Sequence, residues 1–108
     1  MKKLKFKPFL VPKVLSGEKV TTWRLFDDKN LVIGDQLTLL DSETEKEFAQ
    51  AEIVEIREKK LGEVEEADFG GKKIYNNKEE MLVHYRGYYG ERTTFDSLVK
   101  MITFKLIS

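Results

Sequence analysis

The chain has 108 residues, of which 41% are hydrophobic, with no cysteine and with 19 basic residues against 19 acidic ones. This length and hydrophobic content predict one folded domain over residues 1–108. The lack of cysteine excludes disulfides, zinc–thiolate sites and thiol nucleophiles, and no apolar run is long enough to span a membrane. Residues 1–7 have no apolar signal core, so we expect a cytoplasmic protein.

The balanced charge is distributed unevenly along the chain. Residues 1–24 carry seven basic residues and one acid, residues 25–69 carry five and fourteen, and residues 70–108 carry seven and four, which gives net charges of +6, −9 and +3. If the two basic ends meet in the fold, they form a basic face opposite an acidic one. The alternative is that this charge only keeps a small domain soluble.

The first part of the chain predicts a strand, a short helix and a second strand. Lysines alternate with apolar residues over residues 2–7, which indicates a strand whose lysines face water. Pro8 suits the first turn of a helix, Pro12 shortens or breaks that helix, and Gly17 ends it. The β-branched and aromatic residues Val20 to Trp23 predict the next strand.

The acidic middle of the chain predicts two strands and a helical stretch. Gln36 to Leu40 and Phe48 to Ile56 have strand composition, and a slip of phase near Ile53 predicts a β-bulge of the kind that bends small barrels. Residues 61–69 are acidic and helix-prone.

The last part of the chain predicts a helix and a closing strand. Asn77, with Glu80 three residues later, predicts the start of a helix from Lys78 to about Tyr89, which Gly90 ends. Alternation over residues 102–106 predicts the closing strand. This order of elements predicts an α+β fold built on a small, mostly antiparallel β-barrel, with a helical insert before the last strand.

The segment Gly-Glu-Lys-Val-Thr-Thr-Trp-Arg at residues 17–24 is the strongest functional candidate. On a strand, Thr22 and Arg24 share one face, and Lys19 lies at the mouth of that strand. An amine, a hydroxyl and a guanidinium side by side suit an anionic or carbonyl-bearing ligand. Trp23 faces the other way, which favours core packing over base stacking.

Each of these side chains also has a purely structural interpretation. Lys19 is then a solvated lysine in a turn, and Thr22 contributes only its preference for β-strands. Arg24 is then paired with Asp27 or Asp28.

A second candidate group surrounds the predicted helix. Interleaved aromatic and basic side chains suit single-stranded RNA, because bases stack on rings and phosphates pair with cations. The alternative places two of the tyrosines in the core and the lone histidine at the surface. One histidine without cysteine predicts no metal site, and no motif for a cofactor is present. The group comprises Lys72, Lys73, His84, Tyr85, Arg86, Tyr88, Tyr89 and Arg92.

Four residues carry a family resemblance. Gly17, Lys19, Thr22 and Arg24 fit the pattern G-x-K-x-x-T-x-R, which resembles the signature of the ASCH domains, small β-barrels similar to the PUA group of RNA-binding folds. The order of the remaining elements also resembles the ASCH layout. The resemblance implies a barrel of this type and a ligand that is RNA or a nucleoside.

The resemblance also raises the question of an enzyme. Some ASCH proteins are amidohydrolases that deacetylate N(4)-acetylcytidine with a lysine, a threonine and a glutamate from the helical insert. Carried over, the first two catalytic residues are Lys19 and Thr22. Lys72 or Lys73 stands where the glutamate is expected, and the nearest acid is Asp68, with Glu65 and Glu66 behind it. Whether the protein is an enzyme is therefore left open.

Three functions follow from this interpretation. The first is an RNA- or nucleoside-binding domain, with the ligand in a cleft between the Lys19–Arg24 strand and the helical insert. The second is a small amidohydrolase in which Lys19 activates Thr22, while Asp68 or Glu66 moves protons. The third is a protein-interaction module whose acidic middle binds a basic partner. The first function assigns ligand contacts to Lys19, Thr22, Arg24, Lys72, Lys73, Tyr85 and Tyr88.

Overall fold

A computed structural model of the protein describes residues 2–26, 29–69 and 75–107. Within these residues, five strands form one sheet, two α-helices flank it, and three short 3-10 helices connect the elements. The strands are β1 (Lys2–Phe6), β2 (Thr21–Leu25), β3 (Gln36–Asp41), β4 (Glu47–Lys60) and β5 (Leu98–Leu106). The α-helices are α1 (Val11–Ser16) and α2 (Lys78–Tyr89), and the 3-10 helices are Pro8–Leu10, Leu61–Glu63 and Glu66–Phe69.

The sheet is mixed and strongly curled. Its strand order is β1-β3-β4-β5-β2, with β1 parallel to β3 and every other pair antiparallel. β1 and β2 are therefore the two edges, yet Arg24 of β2 donates from Nη2 to the carbonyl of Lys5 in β1 at 3.0 Å. Since the two edges approach each other, the sheet forms a half-barrel. This is the predicted α+β, mostly antiparallel architecture.

A bulge in β4 allows the sheet to curl. The pairing of β4 with β5 shifts register between Ile53 and Glu55, which confirms the bulge predicted near Ile53. The strand extends to Lys60, four residues beyond its predicted end. Its first half pairs with both β3 and β5, and its second half pairs with β5.

Two hydrophobic clusters lie on opposite faces of the sheet. The inner cluster fills the half-barrel and includes Leu39, Ile53 and Phe104, all less than 4% exposed. The outer cluster packs α2 against β2 and β5 through residues such as Leu25 and Met101. Because side chains alternate along a strand, β5 supplies both clusters.

The first helical segment breaks at the predicted place. Residues Pro8–Leu10 form a 3-10 turn and α1 follows, with Pro12 in its first turn, where a missing N–H costs little. Gly17 ends α1 at φ +85°, as predicted, because a left-handed residue is easiest for glycine. No helix in the described part of the chain is long and apolar enough to cross a membrane.

Residues 61–69 differ from the prediction of a helical stretch, because they form two separate 3-10 turns. Asp68 accepts a hydrogen bond from the Glu65 backbone N–H at 2.8 Å, a local bond that competes with an α-helical ladder. Val64, between the two turns, is buried in the outer cluster.

Helix α2 begins and ends at the predicted residues. The Asn77 side chain accepts from the Glu80 backbone N–H at 2.8 Å and caps the first turn. Gly90 follows the last residue at φ +88°. Met81 is buried in the outer cluster, and Tyr85 and Tyr89 pack against it.

Candidate ligand-binding cleft

One open cleft of about 850 Å³ lies where the two sheet edges meet α2. Its walls come from β1, from residues 19–24 and from the C-terminal half of α2. The fold thus brings the 17–24 segment and the aromatic helix face to the same concavity.

Lys19 borders the cleft, and no described residue pairs with its ammonium. Gly17 turns the chain, and the Lys19 N–H donates to the Lys13 carbonyl at 3.0 Å, which fixes the backbone there. Burial, followed by the positive charges of Arg24 and Lys13, lowers the pKa of Lys19. Within the described residues, its ammonium makes no hydrogen bond or ion pair. A buried amine near another cation is suited to hold an anion or to act as a base.

Arg24 is fixed in place but only partly hydrogen-bonded. Its Nη2 donates to the Lys5 carbonyl at 3.0 Å, and its guanidinium carbon lies 5.2 Å from the centre of the Phe6 ring. Its Nε is buried and has no acceptor among the described residues. Burial lowers the pKa of Arg24, but a guanidinium remains charged at neutral pH. Asp27 and Asp28, the predicted alternative partners, lie outside the described residues.

Thr22 and Trp23 occupy opposite faces of β2. Thr22 is 6% exposed and lies opposite Ile102 of β5. In the described structure no hydrogen bond joins its hydroxyl to the Lys19 ammonium. Trp23 packs against the outer cluster, as predicted, and also borders the cleft.

The wall formed by α2 is aromatic. Tyr85 and Tyr89 stack with ring centres 6.5 Å apart, and burial raises the pKa of Tyr85, so its phenol stays neutral. His84 makes edge contacts with Tyr85 at 5.5 Å and Tyr88 at 5.1 Å. Tyr88 is 59% exposed, so its ring is open to a ligand.

Asp68 borders the cleft but is already engaged. Its carboxylate accepts from Lys59 Nζ at 2.8 and 3.0 Å, from Arg57 at 3.4 Å and from the Glu65 N–H, and it is 4% exposed. Burial alone opposes its ionisation, but the Lys59 and Glu65 hydrogen bonds and the nearby cations lower the pKa of Asp68. A general acid works best with a pKa near the working pH, so this carboxylate is poorly suited to proton transfer.

Three other predicted site residues are not placed by the structure. Lys72 and Lys73 lie outside the described residues, and Glu66 is described in its backbone only.

The sequence interpretation missed two cations of the cleft. Lys5 and Lys7 border it, and both are exposed, as the alternation in the first strand predicted. The alternation in that strand gives its faces, but not which strand its free edge approaches. Parallel pairing of β1 with β3 leaves the other edge facing β2. β2 also pairs with β5, so strands from the two ends of the chain lie side by side in the sheet.

No group of three or more His, Asp or Glu side chains suited to a metal occurs in residues 2–26, 29–69 and 75–107.

The comparisons with known proteins are structural. No family model matches the chain, and no curated protein matches its sequence. The structure of an ASCH domain from Lactobacillus crispatus JV V101 superposes with a TM-score of 0.64 at 18% identity, covering 91% of this chain and 70% of that one. The protein has an ASCH-domain fold.

Two further structures share this ASCH-domain fold. Protein EF3133 from Enterococcus faecalis V583, a DUF984 protein, has a TM-score of 0.69 at 17% identity over 92% of this chain and 70% of that one. Hypothetical protein PH0355 has a TM-score of 0.68 at 22% identity over 99% of this chain and 100% of that one. Such identities establish a common fold, and a fold alone does not determine function.

Proposed function

We propose that the chain is a single ASCH-type domain that binds RNA or nucleosides in the cleft between residues 19–24 and α2. The observation that carries this proposal is that unpaired cations and open aromatic rings line one cleft. Lys19 has no anionic partner in the described structure, and Tyr88 and His84 are exposed on the facing helix. Cations and stacking rings together are what single-stranded RNA requires.

The roles of the individual side chains follow from their chemistry. Lys19 and Arg24 hold anionic or carbonyl groups, the Thr22 hydroxyl accepts or donates one hydrogen bond, and Tyr85 or Tyr88 stacks a base. Lys72 and Lys73 are proposed from the sequence as additional RNA contacts. The cleft volume of about 850 Å³ lies in the range of small-molecule sites and is large enough for one nucleotide.

A titration of fluorescent single-stranded RNA at several salt concentrations tests this function. We expect the logarithm of the affinity to fall linearly with the logarithm of the salt concentration. Tyr88→Ala should weaken binding by about 1–3 kcal/mol, the usual contribution of one stacked base. Its stability should be unchanged because the ring is exposed.

Val83→Ala is the matched control for Tyr88→Ala, because Val83 is 68% exposed on the same helix but does not border the cleft. Salt-independent binding, or equal losses in the two variants, would contradict the proposal.

An amidohydrolase is the second candidate function. Two observations favour it: the pKa of Lys19 is lowered, and Thr22 borders the same cleft. An amine that loses its proton more easily is suited to activate a hydroxyl nucleophile. The catalytic acid would be Asp68 or Glu66, and Asp68 would first have to release Lys59.

Incubation with N(4)-acetylcytidine tests this second function directly. Release of cytidine and acetate by the wild type, and its loss in Lys19→Ala, would support a lysine-dependent deacetylation. Turnover retained in Asp68→Asn would leave Glu66 as the acid. Lack of any product at high enzyme concentration would rule out this substrate.

A further inference from the structure

Arg24 carries donors for which no described residue supplies an acceptor. One terminal nitrogen is bonded to the Lys5 carbonyl, while Nε is buried and unpartnered within the described residues. A buried donor without an acceptor costs free energy, so such a group is uncommon unless something else satisfies it. Nε itself is closed to a ligand, but the terminal Nη1 also has no acceptor among the described residues, and an oxyanion in the cleft would bond to it.

This guanidinium is also held ready for such a ligand. The Lys5 carbonyl fixes one side, and the Phe6 ring, 5.2 Å from the guanidinium carbon, supports its face. Little side-chain freedom remains to be lost when a ligand binds, and this raises affinity.

A second cation adds to the positive charge at this end of the cleft. Burial lowers the pKa of Lys19, and the positive charges of Arg24 and Lys13 lower it further. These cations repel one another, and no described carboxylate pairs with Lys19. A doubly charged anion between Lys19 and Arg24 would relieve the repulsion, whereas an uncharged ligand would leave it in place.

Aromatic side chains border the same cleft as these cations. Tyr89 is close enough to Arg24 to affect its ionisation, and it stacks on Tyr85, which neighbours His84. Cations and aromatic rings thus line the same cleft.

From the unpaired donors of Arg24 and the unpartnered ammonium of Lys19 among the described residues we infer that these two side chains form a phosphate subsite, so that the ligand is a nucleotide or a phosphorylated RNA segment and not a free nucleoside. The phosphate lies between the ammonium and the guanidinium, and the base lies against the rings of α2. This inference rests on the proposed function and narrows its ligand class. A nucleoside offers a base and a sugar but nothing to neutralise the two cations.

Calorimetric titration of the full chain with the four ribonucleosides and their 5′-monophosphates tests the subsite. We expect at least one monophosphate to bind about tenfold to a hundredfold more tightly than its nucleoside, as charged hydrogen bonds require. Lys19→Met and Arg24→Gln should each remove most of that preference. Since the Lys19 ammonium makes no hydrogen bond or ion pair in the described structure, Lys19→Met should fold normally even if Arg24→Gln does not.

Lys46→Met is the matched control, because it removes one exposed lysine outside the cleft and should keep the full preference. Equal affinity for nucleosides and monophosphates would overturn the phosphate subsite and leave the proposed function standing. A phosphate preference that survives both variants would also overturn it. If the nucleosides, their monophosphates and single-stranded RNA all fail to bind, both the proposed function and the phosphate subsite are wrong.

Discussion

Two lysine–arginine pairs border or approach the same cleft, and they differ in one respect. Lys59 and Arg57 meet the buried carboxylate of Asp68. Lys19 and Arg24 border the same cleft, and neither pairs with a carboxylate among the described residues. The contrast indicates that a neighbouring carboxylate determines the role of a partly buried cation: cations that pair with a carboxylate stabilise the fold, and cations without one remain available to a ligand.

The physical basis of this contrast is desolvation. Removing a charge from water costs free energy, and a nearby opposite charge with hydrogen bonds repays much of that cost. Asp68, at 4% exposed, receives this compensation from Lys59, Arg57 and a backbone N–H. No described carboxylate compensates the charge of Lys19 or Arg24 in this way, which is unfavourable for stability and favourable for binding.

The largest expected effect comes from removing the acid of the compensated pair. Asp68→Asn should lower the free energy of unfolding at pH 7 by about 2–3 kcal/mol, because charge-assisted hydrogen bonds are lost. The folded pKa of Asp68 is below its usual 3.8, so its stabilisation is complete above that value and is lost as the pH falls through the folded pKa. Urea unfolding should therefore separate wild type and variant at pH 7 but not in strong acid.

Asp96→Asn is the control for this change, since Asp96 is 88% exposed and its ion pair with Lys60 is long, at 3.9 Å. An equal loss of unfolding free energy in both variants at pH 7 would show that the Asp68 carboxylate stabilises the fold no more than an exposed one does.

A middle effect is expected from supplying an acid to the uncompensated pair. Thr21→Glu places a carboxylate on an exposed position that borders the same cleft as Lys19 and Arg24. We expect RNA or nucleotide affinity to fall about tenfold, or ~1.4 kcal/mol, because the internal acid competes with the ligand. Thr44→Glu, at an exposed turn outside the cleft, is the control, and an identical loss there would indicate a general charge effect.

The smallest effect is expected from removing one uncompensated cation. Lys19→Met should raise the free energy of unfolding at neutral pH by about 0.5–1 kcal/mol, as is common when a functional group held at a cost is replaced. The folded pKa of Lys19 is below its usual 10.5, so the unfolded chain binds more protons between the two values and wild-type stability rises with pH there.

The gain from Lys19→Met should consequently shrink as the pH is raised through the folded pKa of Lys19. Thermal unfolding at two pH values measures this, and Lys46→Met serves as the reference. A destabilised Lys19→Met variant would mean that the ammonium has a structural role.

Most of the fold was predictable because local chemistry fixed the element boundaries. Asn77 and Gly90 delimit α2, Gly17 ends α1, and the phase slip near Ile53 is a real bulge. The helix-prone composition of residues 61–69 misled, because one side chain, Asp68, bonds to the backbone there and interrupts a helical ladder.

The site was predictable only in part, for a different physical reason. The 17–24 segment names Lys19, Thr22 and Arg24 from local spacing. The approach of Lys5 to Arg24 depends on a parallel pairing between β1 and β3, distant in the chain, which no local pattern encodes. The engagement of Asp68 by Lys59 likewise depends on tertiary packing.

The half-barrel has a seam. No backbone hydrogen bond joins β1 to β2 in the described part of the chain, and the Arg24 side chain spans the gap to Lys5. Arg24 is thus both the residue that connects β2 to β1 and the residue that would bind a phosphate. A bound ligand should therefore slow amide hydrogen exchange in both β1 and β2, because it stabilises the contact between these two edge strands.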